Sequence, residues 1–382
     1  MRITSLIGAA LLAAALTLTH TLSARENAAP PAQPTARPRI EVCFVLDTTS
    51  SMTGLIEGAK QKIWSIANQF IAAKPAPELK FGLVAFRDRG DEYVVRSYPL
   101  TDDIDSIYAK LREFRAEGGG DLPESVNEGL DAAVREMSWS KDGSVLKIIF
   151  LVGDAPPHMD YADGPKYPDV CREALRRGIV INTVQCGNIA VTTPVWKEIA
   201  KLGEGEYMSI AQDGGMTVTS TPMDEKLAEL NRRLGSTLVP YGDEKDRDAV
   251  RAKQALAEAA PAPAVSDRLR FNAATGKSVQ GGGELLDELA AGRIKSGEID
   301  AAKLPMELSK LPEDQRQAEI EKLKKERNEV QSEIAQVAQQ RADFIEKEQS
   351  RLAADGKADA FDAKVGATLR TQASKKGLTL EK

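Results

Sequence analysis

The chain has 382 residues, 42% hydrophobic and 28% charged, with a formal net charge of −6. That length exceeds what a single core usually organises, so two or more units are expected. The acidic balance argues against a nucleic-acid partner, which would favour a concentrated basic face.

Met1-Arg2 opens onto an alanine- and leucine-rich run through about Leu18, followed by Leu22-Ser23-Ala24. A positive start, an apolar run and a small residue at a cleavage position make residues 1–24 a secretory signal peptide, with a retained anchor as the alternative. The mature chain is therefore expected in the periplasm or secreted, and losing Arg2 with the leader takes its charge to −7. No later segment is long and apolar enough to span a bilayer. Residues 25–38 (RENAAPPAQPTARP) carry no apolar period and read as an extended linker.

The stretch from Ile40 to Ser51, IEVCFVLDTTSS, is nearly continuous in apolar residues up to Asp47, as in a central parallel strand buried on both faces. Leu55, Ala59, Ile63, Ile66 and Phe70 then recur at helical spacing. Leu79 to Phe86 and Tyr93 to Tyr98 read as strands joined by an RDRGDE turn, hence one antiparallel member in the sheet. A helix near Asp103 to Ala116 leads into the glycine-rich loop GGGDLPES, whose Pro123 suits a first helical turn. Lys147 to Val152 is a second buried strand and ends in GDAPPH. A helix near Pro168 to Arg177, a strand from Ile179 to Gln185, a helix from about Pro194 to Leu202, a short strand near Glu206 to Ile210 and a helix from Thr221 to about Leu238 complete the unit. Strands alternating with helices predict a doubly wound, mostly parallel α/β domain over residues 39–242.

From Asp243 the strong β-formers disappear, and the APAPA run at 260–264 marks a break. Residues 243–382 read as a charged helical region, with a long helix or helical hairpin near 312–355. There Ile320, Leu323, Val330, Ile334, Val337 and Phe344 form a heptad-like stripe that Arg327 and Arg341 interrupt. The pattern fits a coiled coil offering self-association better than a packed globular core, and its charges read as a solvated face.

The three cysteines are Cys43, Cys171 and Cys186. Cys43 lies inside the first strand as a small apolar residue. An oxidising compartment permits a Cys171–Cys186 bridge, stabilising by about 3 kcal/mol in the chain-entropy account, with two inert thiols as the alternative.

In an open α/β sheet, ligands bind at the carboxyl ends of the strands. Asp47, Thr49 and Ser51 offer one carboxylate and two hydroxyls at alternate positions of one such loop, a donor set suited to a hard cation such as Mg²⁺. Asp121 in GGGDLPES and Asp154 in GDAPPH are expected at the same edge, because the first strand and the Lys147–Val152 strand should be neighbours at the switch point.

The ordered set of an apolar strand ending DTTSS, then GGGDLPE, then GDAPPH resembles a von Willebrand factor type A domain with its metal-ion-dependent adhesion site, over about Arg39 to Gly242. The resemblance implies that Asp47, Thr49, Ser51, Asp121 and Asp154 hold a divalent cation, Mg²⁺ first, with Mn²⁺ or Ca²⁺ as alternatives. It also implies a protein partner whose carboxylate completes the site, so that the chain is a binding module of the cell envelope rather than an enzyme. Thr49 stands where serine is commoner and keeps the hydroxyl. Asp121 stands where threonine is usual, and a third carboxylate weakens the pull on an incoming one; Glu124 is the other metal candidate in that loop. His158 reads as loop structure or as support to a ligand. The alternatives are an envelope structural or assembly protein acting through its tail, and a Mg²⁺-dependent phosphatase-like hydrolase. The second needs a carboxylate two residues after Asp47, where Thr49 stands. The fragment ATGKS at 274–278 is no phosphate loop, since Phe271 occupies the place of its first glycine.

Overall fold

Strand β1 (Arg39–Asp47) lies at the centre of a six-stranded sheet and hydrogen-bonds to parallel neighbours on both sides. The computed structural model describes residues 37–212, 219–354 and 360–379; the expected leader and nearly all of the linker lie outside the described residues. The other strands are β2 (Glu78–Phe86), β3 (Val95–Thr101), β4 (Leu146–Gly153), β5 (Ile179–Cys186) and β6 (Glu204–Ile210), in the spatial order β3-β2-β1-β4-β5-β6. Only β3 is antiparallel, paired to β2 across the RDRGDE turn as the sequence predicts, although it starts at Val95 rather than Tyr93.

The two faces of the sheet are built by strict alternation. Val42 and Leu46 of β1 with Ile148, Phe150 and Val152 of β4 enter one core, and Cys43 and Val45 with Ile149 and Leu151 enter the other. Helices α1 (Thr53–Ile71) and α2 (Ile104–Glu113) cover the first face through Leu55, Trp64, Phe70, Tyr108 and Leu111. Helices α3 (Val126–Arg135), α4 (Tyr167–Arg176) and α5 (Thr192–Leu202) cover the second through Leu130, Val134, Val170, Trp196 and Ile199. Helix α3 starts three residues later than Pro123 suggests. The Glu124 amide donates to the Pro156 carbonyl and the Ser125 amide to the Arg87 carbonyl, so this backbone is committed to neighbouring loops before a helix can begin. The disulfide is not formed: Cys171 packs on one face of the sheet and Cys186 on the other, both as free, buried thiols.

The C-terminal half departs furthest from its sequence pattern. Helix α6 (Asp224–Ser236) is followed by α7 (Glu244–Glu258), α8 (Ala262–Thr275), α9 (Leu285–Ala290), α10 (Met306–Ser309), the 42-residue α11 (Glu313–Ala354) and α12 (Ala360–Ser374). These helices do have packed cores. Leu227, Leu230 and Leu234 of α6 meet Val265 and Leu269 of α8 and Val330 and Ile334 of α11, so the middle of the stripe offered for self-association is covered within the chain. The Phe271 ring of α8 lies 5.7 Å from that of Trp64 on α1, joining this layer to the sheet domain. Arg268 of α8 makes a buried bidentate pair with Asp105 of α2 at 2.7 and 2.9 Å. On α12, Val365 and Leu369 join the first core, and the Gln372 and Asn182 side-chain amides pair at 2.6 and 3.1 Å. Arg327 and Arg341 are 4% and 5% exposed, not solvated: they interrupt the stripe because they are the inward-facing ion-pair partners of buried acids. No helix of the described residues is long and apolar enough to cross a membrane.

Candidate metal centre

The β1 register with β2 and β4 brings Asp47 to the carboxyl edge of the sheet, beside the end of β4. Gly153 makes room for it, since a Cβ there would stand 3.1 Å from Asp47 Oδ2. Asp47 is fully buried, and its Oδ1 accepts hydrogen bonds from the Thr49 amide (2.9 Å) and the Thr49 hydroxyl (2.6 Å). Thr49 Oγ1 lies 3.3 Å from Ser51 Oγ, so the three positions read from the loop spacing do converge. Asp47 Oδ2 has no hydrogen-bond partner.

Asp154 follows β4 and is 3% exposed. Its Oδ2 accepts from Gln212 Nε2 at 2.7 Å, and the same amide nitrogen donates to the Ser51 carbonyl at 3.2 Å. Gln212, just beyond β6, therefore bridges two of the predicted loops. No local motif marks it, and only the sheet order, which puts β6 ends at this edge, could have pointed to it.

The glycine-rich loop closes over the same place. Gly118 and Gly119 take φ values of +76° and +67°, where residues with a Cβ are strained. The Ser50 amide and hydroxyl both donate to the Gly118 carbonyl, at 3.2 and 2.8 Å. A Cβ on Gly119 would fall 2.9 Å from Thr49 Cβ and 2.8 Å from Glu124 Oε1, so Thr49 and Glu124 both stand against this glycine. Glu124 is 4% exposed and its Oε2 is unpartnered. Asp121, by contrast, is exposed, and its carboxylate groups with Asp88 and His158. The acid that this loop carries to Thr49 is thus Glu124, while Asp121 points to a neighbouring cluster.

Burial pushes the Asp47 carboxyl up to about 7, with the Thr49 hydrogen bonds pulling down and the nearby Asp154 and Asp91 charges pushing up. Burial, followed by the charges of Asp47, Asp88, Asp91 and Asp121, pushes Glu124 up to about 9. Hard oxygen donors, excess negative charge and two unpartnered buried carboxylate oxygens are what a divalent cation would satisfy, so the residues fit such an ion.

The same acids predict a pH response. In chelator, the folded chain holds these protons more tightly than the unfolded chain, whose carboxyls have ordinary values. Their contribution to stability is therefore full below about pH 4 and is lost as pH rises through 7 and then 9. Melting temperatures measured in chelator should fall over that window, and a divalent cation should flatten the fall. A chelated protein with no such decline would contradict the assignment.

Residues 41–222 match the family model described as von Willebrand factor A domain. Over 120 residues the chain is 36% identical to von Willebrand factor A domain-containing protein 7 of Rattus norvegicus, a match spanning 31% of this chain and 12% of that protein. Among solved structures it is similar to proximal thread matrix protein 1 from the mussel byssus, whose MIDAS motif is occupied by zinc, at 18% identity, 46% and 43% coverage of the two chains and a TM-score of 0.37. It is also similar to the SpRpn10 VWA domain, at 14% identity, 46% and 89% coverage and a TM-score of 0.35.

Proposed function

We propose, from the match of residues 41–222 to the von Willebrand factor A domain model, that this chain is a metal-dependent protein-binding module of the cell envelope. Asp47, Thr49, Ser51 and Asp154 would hold a divalent cation, with Glu124 as the carboxylate from the glycine-rich loop. Mg²⁺ is the first choice, because every donor in this set is an oxygen. Bound there, the ion supplies a coordination position that a partner's aspartate or glutamate can fill. The observation that carries the reading is the pair of buried, unpartnered oxygens, Asp47 Oδ2 and Glu124 Oε2, at the carboxyl edge of the sheet.

The chain's own residues prepare that edge. Thr49 orients Asp47 through two hydrogen bonds, and Gln212 holds Asp154 against the first loop. Gly118 and Gly119 let the third loop approach without side chains in the way. The role is binding rather than turnover, since Thr49 occupies the position where a phosphatase of this general layout carries its acid. We place the mature chain in the periplasm or outside the cell on the strength of residues 1–24.

The test is capture from an envelope fraction on immobilised chain, in Mg²⁺ and in chelator, with an Asp47→Asn control. A partner retained in Mg²⁺ and released by chelator, and absent from the control, supports the reading. Capture that persists in chelator overturns it.

A further inference from the structure

We propose that Asp88, Asp121 and His158 form a second metal site, beside the first but distinct in chemistry, for a borderline transition-metal ion such as Zn²⁺. The inference does not rest on the function proposed above, because none of Asp47, Thr49, Ser51 or Asp154 takes part. It gives Asp121 a role different from the one its motif suggests.

One ring nitrogen of His158 and one oxygen each of Asp88 and Asp121 all lie within 4.8 Å of one another. His158 is 5% exposed, and its Nδ1 lies 2.8 Å from Asp160 Oδ1. With a proton on Nδ1 donated to that carboxylate, Nε2 presents a lone pair. Nε2 has no hydrogen-bond partner, although Asp88 Oδ2 lies 3.4 Å away. A buried imidazole nitrogen left unpaired against a carboxylate oxygen is an arrangement that native proteins seldom keep. A cation between the two removes the conflict. An imidazole fixed through its other nitrogen by a carboxylate is also how metal-bound histidines are held.

The remaining neighbours hold the ligands in place. Ser125 Oγ donates to Asp88 Oδ1 at 2.8 Å, and the Tyr161 hydroxyl reaches both Asp88 oxygens at 3.2 and 3.1 Å. The Tyr161 ring stacks on His158 with centroids 4.0 Å apart and planes 11° from parallel, and the Arg89 guanidinium covers Tyr161 at 3.9 Å. Two ligands are thus pre-set on rigid supports, and the third, Asp121, is exposed and can close on the ion. Ligand atoms in a tetrahedral zinc site stand roughly 3.3 Å apart, which the His158–Asp88 separation already matches. A nitrogen with two carboxylates selects zinc or a neighbouring transition metal over Mg²⁺, which prefers oxygen alone. Three protein ligands leave a fourth position open.

The chain has two histidines, His20 and His158, so selective ¹⁵N-histidine labelling isolates the signal. Zn²⁺ is titrated into the full chain at saturating Mg²⁺, with a chromophoric chelator as competitor. One equivalent of Zn²⁺ should still bind, and the His158 Nε2 resonance should move with Zn²⁺ but not with Mg²⁺. His158→Gln should lose that equivalent, Asp121→Asn should weaken it at least about tenfold, and Asp160→Ala should weaken it by about 10–100-fold. Asp47→Asn should leave it unchanged, which separates this site from the first. Should His158→Gln fail to fold, the exposed Asp121→Asn and the resonance shift decide the matter. The proposal is overturned if no Zn²⁺ binds in excess Mg²⁺, or if the His158 signal stays still while Zn²⁺ is taken up.

Discussion

Asp47→Asn is expected to melt at or above the temperature of the wild-type chain in chelator, yet to gain nothing from added Mg²⁺. The wild type buries a carboxylate whose Oδ2 is unpartnered and whose neighbours include Asp154 and Asp91. Above pH 7, where Asp47 is ionised, leaving such a charged acceptor unsatisfied costs about 1–3 kcal/mol or more, and the amide removes the charge while its oxygen still accepts from Thr49. The same change removes the negative charge at the centre of the proposed oxygen set, so affinity for a divalent cation should drop by two orders of magnitude or more. Thermal melts of both proteins, with chelator and with a Mg²⁺ series, read the two effects separately. If Mg²⁺ raises the melting temperatures of wild type and variant alike, the ion binds elsewhere and the centre built on Asp47 is wrong.

Arg327→Ala is expected to cost about 3–5 kcal/mol, as breaking a buried ion pair does. The guanidinium makes a two-pronged pair with Glu284 at 2.8 Å on each arm, reaches Asp287 at 3.3 Å, and donates to the Thr237 carbonyl at 2.7 Å. Glu284 and Asp287 are 2% and 7% exposed. Burial and then the Glu284 charge push Asp287 up to about 6, against the pull of Arg327. Removing the cation leaves two acids facing each other in a medium that cannot solvate them. Arg327→Met, which fills much of the volume without the charge, should be nearly as harmful. Combining it with Glu284→Gln and Asp287→Asn should recover a good part of the loss. Urea unfolding measures all three, and a cost below about 1 kcal/mol for Arg327→Ala would mean that water reaches this cluster.

The sheet domain was legible because its signals are local. A nearly continuous apolar run of strand length, bounded by turn residues, points to a strand buried on both faces, and β1 and β4 follow that rule. The first half of the candidate centre was legible for a related reason: Asp47, Thr49 and Ser51 share one loop, so their spacing limits how far apart they can be. Asp154 followed from the neighbouring positions of β1 and β4. Glu124 and Asp121 could not be told apart, because both sit in one loop and only its path, set by Gly118 and Gly119, sends one acid inward and leaves the other at the surface. His158 and Asp88 lie 70 residues apart in loops with no common motif, so nothing in the sequence pairs them.

The helical half departs from its sequence pattern where charge does not mean exposure. Glu, Lys and Arg on a helix are usually solvated, and along α11 most of them are. Arg327 and Arg341 differ only because α6, α8 and α9 bring Asp224, Asp267, Glu284 and Asp287 against them, and those partners come from 40 to 117 positions away. The sequence alone determined which strands are buried and that Asp47, Thr49 and Ser51 gather in one loop, since each depends on neighbours in the chain. The tertiary structure decided which charges are buried, that Cys171 and Cys186 lie on opposite faces, and which acid of the glycine-rich loop turns inward. Those outcomes depend on desolvation and on partners far away in the chain, and burial of that kind has no periodicity to read.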